Sequence, residues 1–302
     1  MAVMNSGITI LIQPETRAEA LAVFDKTSQA HAQSNFRKTS LGIIAFAAAV
    51  ALAAHVSQFD LMRLITGLPR IGDFLSGMVP RLTADNLWAD LVYWYWGLDK
   101  WLYLLWTTLM MALFGTVAGT TLGAIFSLFA ARNLGAPRWS VFFVKRMLEI
   151  ARTVPDLVFA LVFLFAFGLG PLAGVLAIAL HTLGAQGKLF AEVNENVDMR
   201  PLEGVRACGG SWLDEMTVGL LPQVLPNYIS YTFWRFEINV RSATIIGVVG
   251  AGGIGMELYE AISLSYFDDA GAILLLVFIT VMLIDIASEA LRTKISNVRA
   301  VT

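Results

Sequence analysis

Residues 101–131 read WLYLLWTTLMMALFGTVAGTTLGAIFSLFAA, thirty-one consecutive positions without Asp, Glu, Lys or Arg. An α-helix rises 1.5 Å per residue, so about 20 apolar residues cross a hydrocarbon core roughly 30 Å thick. This run has length to spare for a tilted crossing. Outward from it the same reading repeats. LGIIAFAAAVALAAHVS, residues 41–57, is a shorter span that needs flanking residues to complete it. Residues 157–187 again lack charge but contain Gly168, Gly170 and Pro171, which signal a turn between a third and a fourth span. Two full crossings do not fit in that length, so the third span is expected to begin upstream. Pro155 and Asp156 would then lie inside a helix that faces protein or a cavity rather than lipid. A fifth span fits Pro222 to about Ile245, despite Arg235, Glu237 and Arg241. A sixth runs from Ala270 to about Ala290, with Asp285 and Glu289 near its exit.

The composition agrees. Of 302 residues, 57% are hydrophobic and 15% charged, against ~45–50% and ~25% in ordinary soluble domains. A soluble protein can bury one long apolar helix but not six, so the expected fold is all-α, a polytopic membrane protein with about six transmembrane helices. The net charge of -2, from 21 Lys and Arg against 23 Asp and Glu, leaves no cationic excess for a nucleic-acid backbone. The single cysteine, Cys208, excludes an intrachain disulfide and a cysteine-built zinc site, and is read as a helix-packing residue. Residues 1–40 contain Glu15, Glu19 and Asp25 and no apolar core of a secretory signal, so the first span is expected to remain as an anchor.

Charge on the flanks sets the direction. Arg37 and Lys38, then Arg132, Arg138, Lys145, Arg146 and Arg152, then Lys188, Arg200 and Arg206, and finally Arg292, Lys294 and Arg299 all fall on one side of six alternating spans. By the positive-inside rule that side is cytoplasmic, with both termini. The other side receives residues 58–100, where Asp60, Asp73, Asp85, Asp90 and Asp99 outnumber Arg63, Arg70, Arg81 and Lys100. It ends in YWYWGLDKW, residues 93–101, the composition of an interfacial aromatic belt. The chain divides into a cytoplasmic segment 1–40, a first span with external segment 41–100, a core 101–291 containing a cytoplasmic segment 190–222, and a tail 292–302.

That internal segment, FAEVNENVDMRPLEGVRACGGSWLDEMTVGLL, is helical in pattern and acidic, with Glu192, Glu195, Asp198 and Glu203. Next to an anionic leaflet such a composition fits a protein partner better than lipid. Pro201 can open a helix, Gly209 and Gly210 permit a reversal, and a second helix is expected from about Trp212 to Leu220. Gly250-Ala251-Gly252-Gly253-Ile254-Gly255 satisfies G-x-G-x-x-G, followed by Asp268 and Asp269. A dinucleotide site needs a strand before the glycines and a parallel sheet around them. Here Ser242–Val249 continues a span, so the glycines read as a close-packing bend near an external gate. No Gly-rich loop ends in Gly-Lys-Ser or Gly-Lys-Thr, so the sequence holds no recognisable phosphate cradle of the Walker type.

Arg235 lies about 20 Å along the fifth span, a costly depth for an unpaired charge. Glu237 precedes Arg241 by four positions and can pair with it, whereas Arg235 has no acid at three or four. Two explanations stay open for Arg235. It pairs across helices with a carboxylate such as Asp156 or Glu237, or it faces an aqueous path and passes an anion through its donor fork. Asp156, Asp285 and Glu289 read as structural. His181 reads as a satisfied buried imidazole, since no metal constellation surrounds it. An intramembrane enzyme is disfavoured, because no nucleophile and base stand at helical spacing.

Glu203-Gly204-Val205-Arg206-Ala207-Cys208-Gly209, followed by Gly219-Leu220-Leu221-Pro222, resembles the EAA motif of ABC-importer membrane subunits: Glu-Ala-Ala, three variable residues, Gly, a spacer and Leu-Pro. Gly204 and Val205 replace the alanines. LLPQVLPNYISYTFWRFEINVRSATIIGVVGAGGIG, residues 220–255, and VPDLVFALVFLFAFGLGPLAGVLAIALHTLGAQGKLFAE, residues 154–192, are similar to the phosphonate branch of these permeases. The resemblance implies a phosphonate import permease of the bacterial plasma membrane that pairs with a second copy. Its partners would be two cytoplasmic ATP-binding subunits, which carry the ATP and Mg, and an extracytoplasmic phosphonate-binding protein; this chain holds no cofactor. Glu203 and Gly209 carry over as the motif's acid and glycine, with Gly204, Val205, Arg206, Leu221 and Pro222 in the same coupling set. Arg235, Glu237, Arg241 and Asp156 are then path candidates, and Gly250, Gly252, Gly253 and Gly255 gate candidates. A permease for phosphate, phosphite or another small anion and an ion-coupled secondary transporter are the rivals.

Overall fold

Every regular element among the described residues is helical. The structure, a computed structural model, describes residues 17–80, 83 and 85–299; Glu15, Arg81 and the outer ends of segments 1–40 and 292–302 lie outside them. Four helices are long and apolar enough to cross a membrane: α1 (Arg17–Val56), through its stretch Asn35–Val56; α4 (Leu98–Ala130); α7 (Pro171–Glu195); and α12 (Phe267–Arg299), through Phe267–Lys294. Among the described residues the number rises to as many as six if each of two bent pairs is one span. The first joins α5 (Arg138–Thr153) and α6 (Asp156–Phe167) at 89°, and the second joins the stretch Trp212–Ala251 to α11 (Ile254–Ser263) at 60°. That second stretch is a helical turn, α9 (Trp212–Asp214), a π-turn Glu215–Leu220, the long α10 (Leu221–Ile246), and a second π-turn Gly247–Ala251. Between α1 and α4 lie α2 (Leu61–Gly77) and α3 (Leu87–Trp94), so much of the external segment is helical. By contacts the chain forms two units, residues 1–71 and 72–302, and the second holds the packed spans from α4 onward.

The third span departs from expectation at Pro155. Instead of lying inside one helix, Pro155 caps α6 in extended backbone (φ -57°, ψ 141°), and the chain turns sharply there. Its ring lacks the N–H that would continue α5, and it forces Val154 out of helical geometry. The carbonyl that the break leaves at Val154 is taken up by His181, whose Nδ1 lies 3.0 Å away, so the imidazole is satisfied as expected. Twelve residues of α6 reach about 18 Å, too short to cross alone. The expected turn between spans three and four is present at Gly168 (φ +86°) and Gly170 (φ +142°).

Three glycines at four-residue spacing hold the centre. A Cβ on Gly115 would meet Ile178 Cγ2 at 2.6 Å, one on Gly119 would meet Ala179 O at 2.5 Å, and one on Gly123 would meet Gly187 N at 2.9 Å. The backbones of α4 and α7 therefore touch, the contact that small residues provide where lipid supplies no hydrophobic drive between helices. Around this seam Ala112, Ile178, Val240, Ala243 and Ile246 join α10 to both helices. Trp101, Leu105, Ile254 and Ile273 join α4, α11 and α12 at one end. At the other end α7 continues to Glu195 with Phe190, Ala191 and Asn194 buried, so the projecting part of segment 190–222 starts near Asn196.

Candidate functional site

The projecting segment is a closed helical hairpin. Its first arm, α8 (Arg200–Ala207), has Pro201 in the first turn and buries Leu202 against Gly219, where a Cβ would stand 3.0 Å from Leu202 Cγ. Gly209, at φ +80°, ends the arm in the left-handed conformation that favours glycine. Its N–H donates to Arg206 O and that of Gly210 to Val205 O, both at 3.0 Å. Close approach belongs to Gly210 instead, because a Cβ there would meet Val205 Cγ1 at 2.6 Å while Gly209 has open space. Ser211 and Asp214 form a capping box that starts the second arm. Hydrogen bonds from Ser211 hold the Asp214 carboxyl below its usual range.

Arg206 clamps the arms together. Its Nε and Nη2 donate to the two oxygens of Glu215 at 2.8 and 2.7 Å. The Glu215 residue is buried, and this fork holds its carboxyl below the ordinary glutamate value. Glu203, Gly204 and Gly209 remain exposed. So does Cys208, at the cap of α8, which corrects its reading as a packing residue: the chain turns there and its side chain lies outside the hairpin core. The hairpin is tied to the spans. Trp212 Nε1 donates to Leu134 O (3.2 Å) and its ring stacks on Phe129, while Gln223 bonds Asp198 through both its amide atoms at 3.1 Å. Tyr228, stacked on Phe190, donates to Asn194 Oδ1 (2.9 Å) and lies 3.1 Å from Ser127 Oγ. Leu221 and Pro222 form the first turn of α10, so the second arm and the span are one continuous helix.

Arg235 stands on that helix, buried at 9% exposure. Its Nε reaches Thr182 Oγ1 at 3.4 Å, while Asn239 Nδ2 donates to Thr182 (2.9 Å) and Thr116 (2.8 Å). No carboxylate forms a salt bridge with it among the described residues. Asp156, the first residue of α6, accepts from the Leu157 N–H (2.9 Å) and acts on Arg235 only across a longer distance. Arg235 opens on a cavity of about 500 Å³ that Arg152, His181, Gln186 and Lys188 also line. Glu237 is engaged elsewhere, by Arg241 at 2.5 Å and Arg292 at 3.6 Å, and Arg241 reaches Asp285 at 3.7 Å. Those four residues bind α10 to α12. Thr116, Thr182 and Asn239 were missed in the sequence, although Asn239 falls one helical turn beyond Arg235 in an apolar span, and that spacing is a usable signal.

The glycine-rich stretch is a bend, with no strand among the described residues to make a dinucleotide site. Gly250, Gly252 and Gly253 have φ of +108°, +81° and +74°. A Cβ on Gly255 would stand 1.9 Å from Thr244 O, and the Ile254 N–H donates to Thr108 Oγ1 at 2.9 Å. Gly170 N–H donates to Gly250 O (3.2 Å), which links the bend to the turn between α6 and α7.

Comparison with known proteins gives four findings. Residues 119–297 match the family described as binding-protein-dependent transport system inner membrane component. The phosphite transport system permease protein PtxC of Stutzerimonas stutzeri is 36% identical over 255 residues, which cover 83% of this chain and 88% of that protein. An Escherichia coli K12 protein, PhnE2, named for a cryptic phosphonate transport system permease, is 48% identical over 118 residues, 39% of this chain and 97% of that protein. Among solved structures, an inward-facing MetNI methionine ABC transporter aligns with a TM-score of 0.55 at 20% identity, over 71% of this chain and 99% of the matched chain, a likeness of fold.

Proposed function

We propose a function from the premise that this chain belongs to the binding-protein-dependent transport system inner membrane component family: it is the membrane-spanning permease subunit of an ATP-driven importer of phosphonates. It is a multi-pass protein of the inner membrane with both termini in the cytoplasm. Two copies form the path, two cytoplasmic subunits bind and hydrolyse ATP with Mg, and an extracytoplasmic protein delivers the anion. No bond in the substrate is made or broken in this chain. The observation that carries the reading is the clamped hairpin 200–220, which continues without a break into the helix that bears Arg235. A moving partner that grips Glu203 and the exposed turn at Gly204–Gly209 shifts α10 as a rigid body, because packed elements switch between arrangements rather than deform. Val205, Leu221 and Pro222 keep the grip aligned with the span. Arg235 offers its guanidinium to the passing anion with Asp156 nearby, and the bend at Gly250–Gly255 closes the outer end. Glu237 and Arg241 act by fixing α10 to α12.

A phosphite importer is the second reading, favoured because the phosphite relative aligns over 83% of the chain and the phosphonate relative over 39%. Reconstitution with candidate ATPase and binding-protein partners tests both. ATP-dependent uptake of methylphosphonate, lost in Glu203→Ala or Gly209→Val while assembly persists, supports coupling; uptake unchanged in both variants removes it. Methylphosphonate outcompeting phosphite supports the first substrate, and the reverse order the second. Arg235→Ala is expected to slow uptake more than tenfold with ATPase binding intact, and normal uptake ends its role in the path.

A further inference from the structure

Where α4 ends and α5 begins, the fold leaves a cleft of about 600 Å³, which meets the cavity at Arg235 only along Lys188 and Glu192. Five cations line it, among them Arg132 and Arg138, against three glutamates. Two of these acids are already engaged. Glu195 accepts from Lys145 (2.8 Å) and from the Arg132 backbone N–H (3.0 Å), and Glu149 pairs with Arg146 and, at 3.7 Å, with Lys188. The Arg138 side chain has no hydrogen bond or ion pair among the described residues, and the Arg132 side chain forms no hydrogen bond there. Both residues are exposed. The Arg138 guanidinium is therefore left to face an anion, and that of Arg132, which acts on Glu195 only from beyond hydrogen-bond reach, can turn to the same anion.

The cleft's outer wall is α5, whose side turned from the cleft is apolar: Trp139, Phe143 and Ile150 are 68%, 64% and 66% exposed, with Phe142 (57%) at the rim. The 89° bend keeps α5 and α6 from both following the membrane normal, and α5, with five charged residues against one in α6, is the helix that lies along the surface while α6 enters the bilayer part-way. An in-plane helix with aromatics on one face and cations on the other sits at headgroup depth. Phe142 lines the cleft beneath Arg146, whose Cζ is 5.6 Å from the ring centroid. We propose that the cleft binds an anionic phospholipid, its phosphodiester held between Arg132 and Arg138 and its acyl chains lying along the apolar face of α5. Guanidinium donors suit a phosphate ester, and basic pockets between membrane helices are sites of this chemistry.

The test uses the full chain in detergent, titrated with dioleoylphosphatidylglycerol, dioleoylphosphatidylcholine or inorganic phosphate and read by native mass spectrometry. The phosphatidylglycerol is expected to bind at least tenfold more tightly than the zwitterionic lipid. Arg138→Gln, which breaks no hydrogen bond or ion pair among the described residues, should weaken it about fivefold, and Arg132→Gln with Arg138→Gln about twentyfold. Lys294→Gln, a cation outside the cleft, should leave it unchanged. Equal binding of the two lipids, unaltered phosphatidylglycerol binding in the double variant, or displacement of the lipid by millimolar inorganic phosphate would each overturn the proposal, the last by making the cleft a free-anion site.

Discussion

Gly119→Ala measures how much of the fold depends on backbone contact between α4 and α7. The added methyl would stand 2.5 Å from Ala179 O and 2.6 Å from Thr182 Cβ, about 1 Å inside ordinary contact. A helix carbonyl cannot swing aside, so the helices must part. Overpacking of this kind costs about 1–3 kcal/mol, against a helix-propensity gain of about 1 kcal/mol for replacing glycine with alanine. Gly72→Ala supplies the reference, since Gly72 is inside α2 with nothing within 4 Å of a Cβ and so receives the gain alone. The difference between the two variants isolates the clash: Gly119→Ala should be less stable than Gly72→Ala by about 1–3 kcal/mol, lowering the melting midpoint by several degrees in thermal unfolding in detergent. Because Thr182 accepts from Asn239 and Arg235, the displacement also loosens the buried polar cluster. Equal midpoints for the two variants would refute the close-contact argument.

Two further outcomes are expected. Glu237→Gln removes the carboxylate that faces both Arg241 and Arg292, which should cost about 1.5–3 kcal/mol for charged hydrogen bonds and lower the detergent melting midpoint; an unchanged midpoint would show that α10 and α12 do not need this link. The Arg206 fork lowers the Glu215 pKa, so its stabilisation is fully present above the ordinary glutamate value and is lost as the pH falls through the lowered folded value. Pepsin cleavage of residues 196–211, scaled to a reference peptide, should therefore rise only below the ordinary glutamate value in the parent chain and at a higher pH in Arg206→Gln; coincident profiles would count against the clamp.

Much of this architecture is legible in the chain, and the exceptions have physical causes. The charge-free runs mark α4, α7 and α12 because a bilayer tolerates little else. Pro155 was visible as a residue, but whether proline kinks a span or ends one depends on whether a neighbour satisfies the freed carbonyl. Here His181, 27 positions away, does so. Arg206 and Glu215 are nine residues apart and meet only because the chain reverses at Gly209, so no single-helix spacing announces them. The Gly115, Gly119, Gly123 series was readable as a packing stripe, yet only the fold shows that α7 is what it meets. Asn239 was missed although its spacing from Arg235 could have signalled it, while Thr116 and Thr182 come from two other helices and needed three-dimensional proximity.

Cys208 makes the central claim directly measurable, since it is the chain's single cysteine and is exposed on the turn of the hairpin. With a membrane-impermeant maleimide, labelling is expected to be absent in intact spheroplasts and strong in inverted membrane vesicles, and co-expression of the ATPase subunits should suppress it in those vesicles. Labelling from the outside of sealed cells would contradict an inward-facing hairpin, and full labelling of an assembled, ATP-hydrolysing complex would contradict its engagement by the motor.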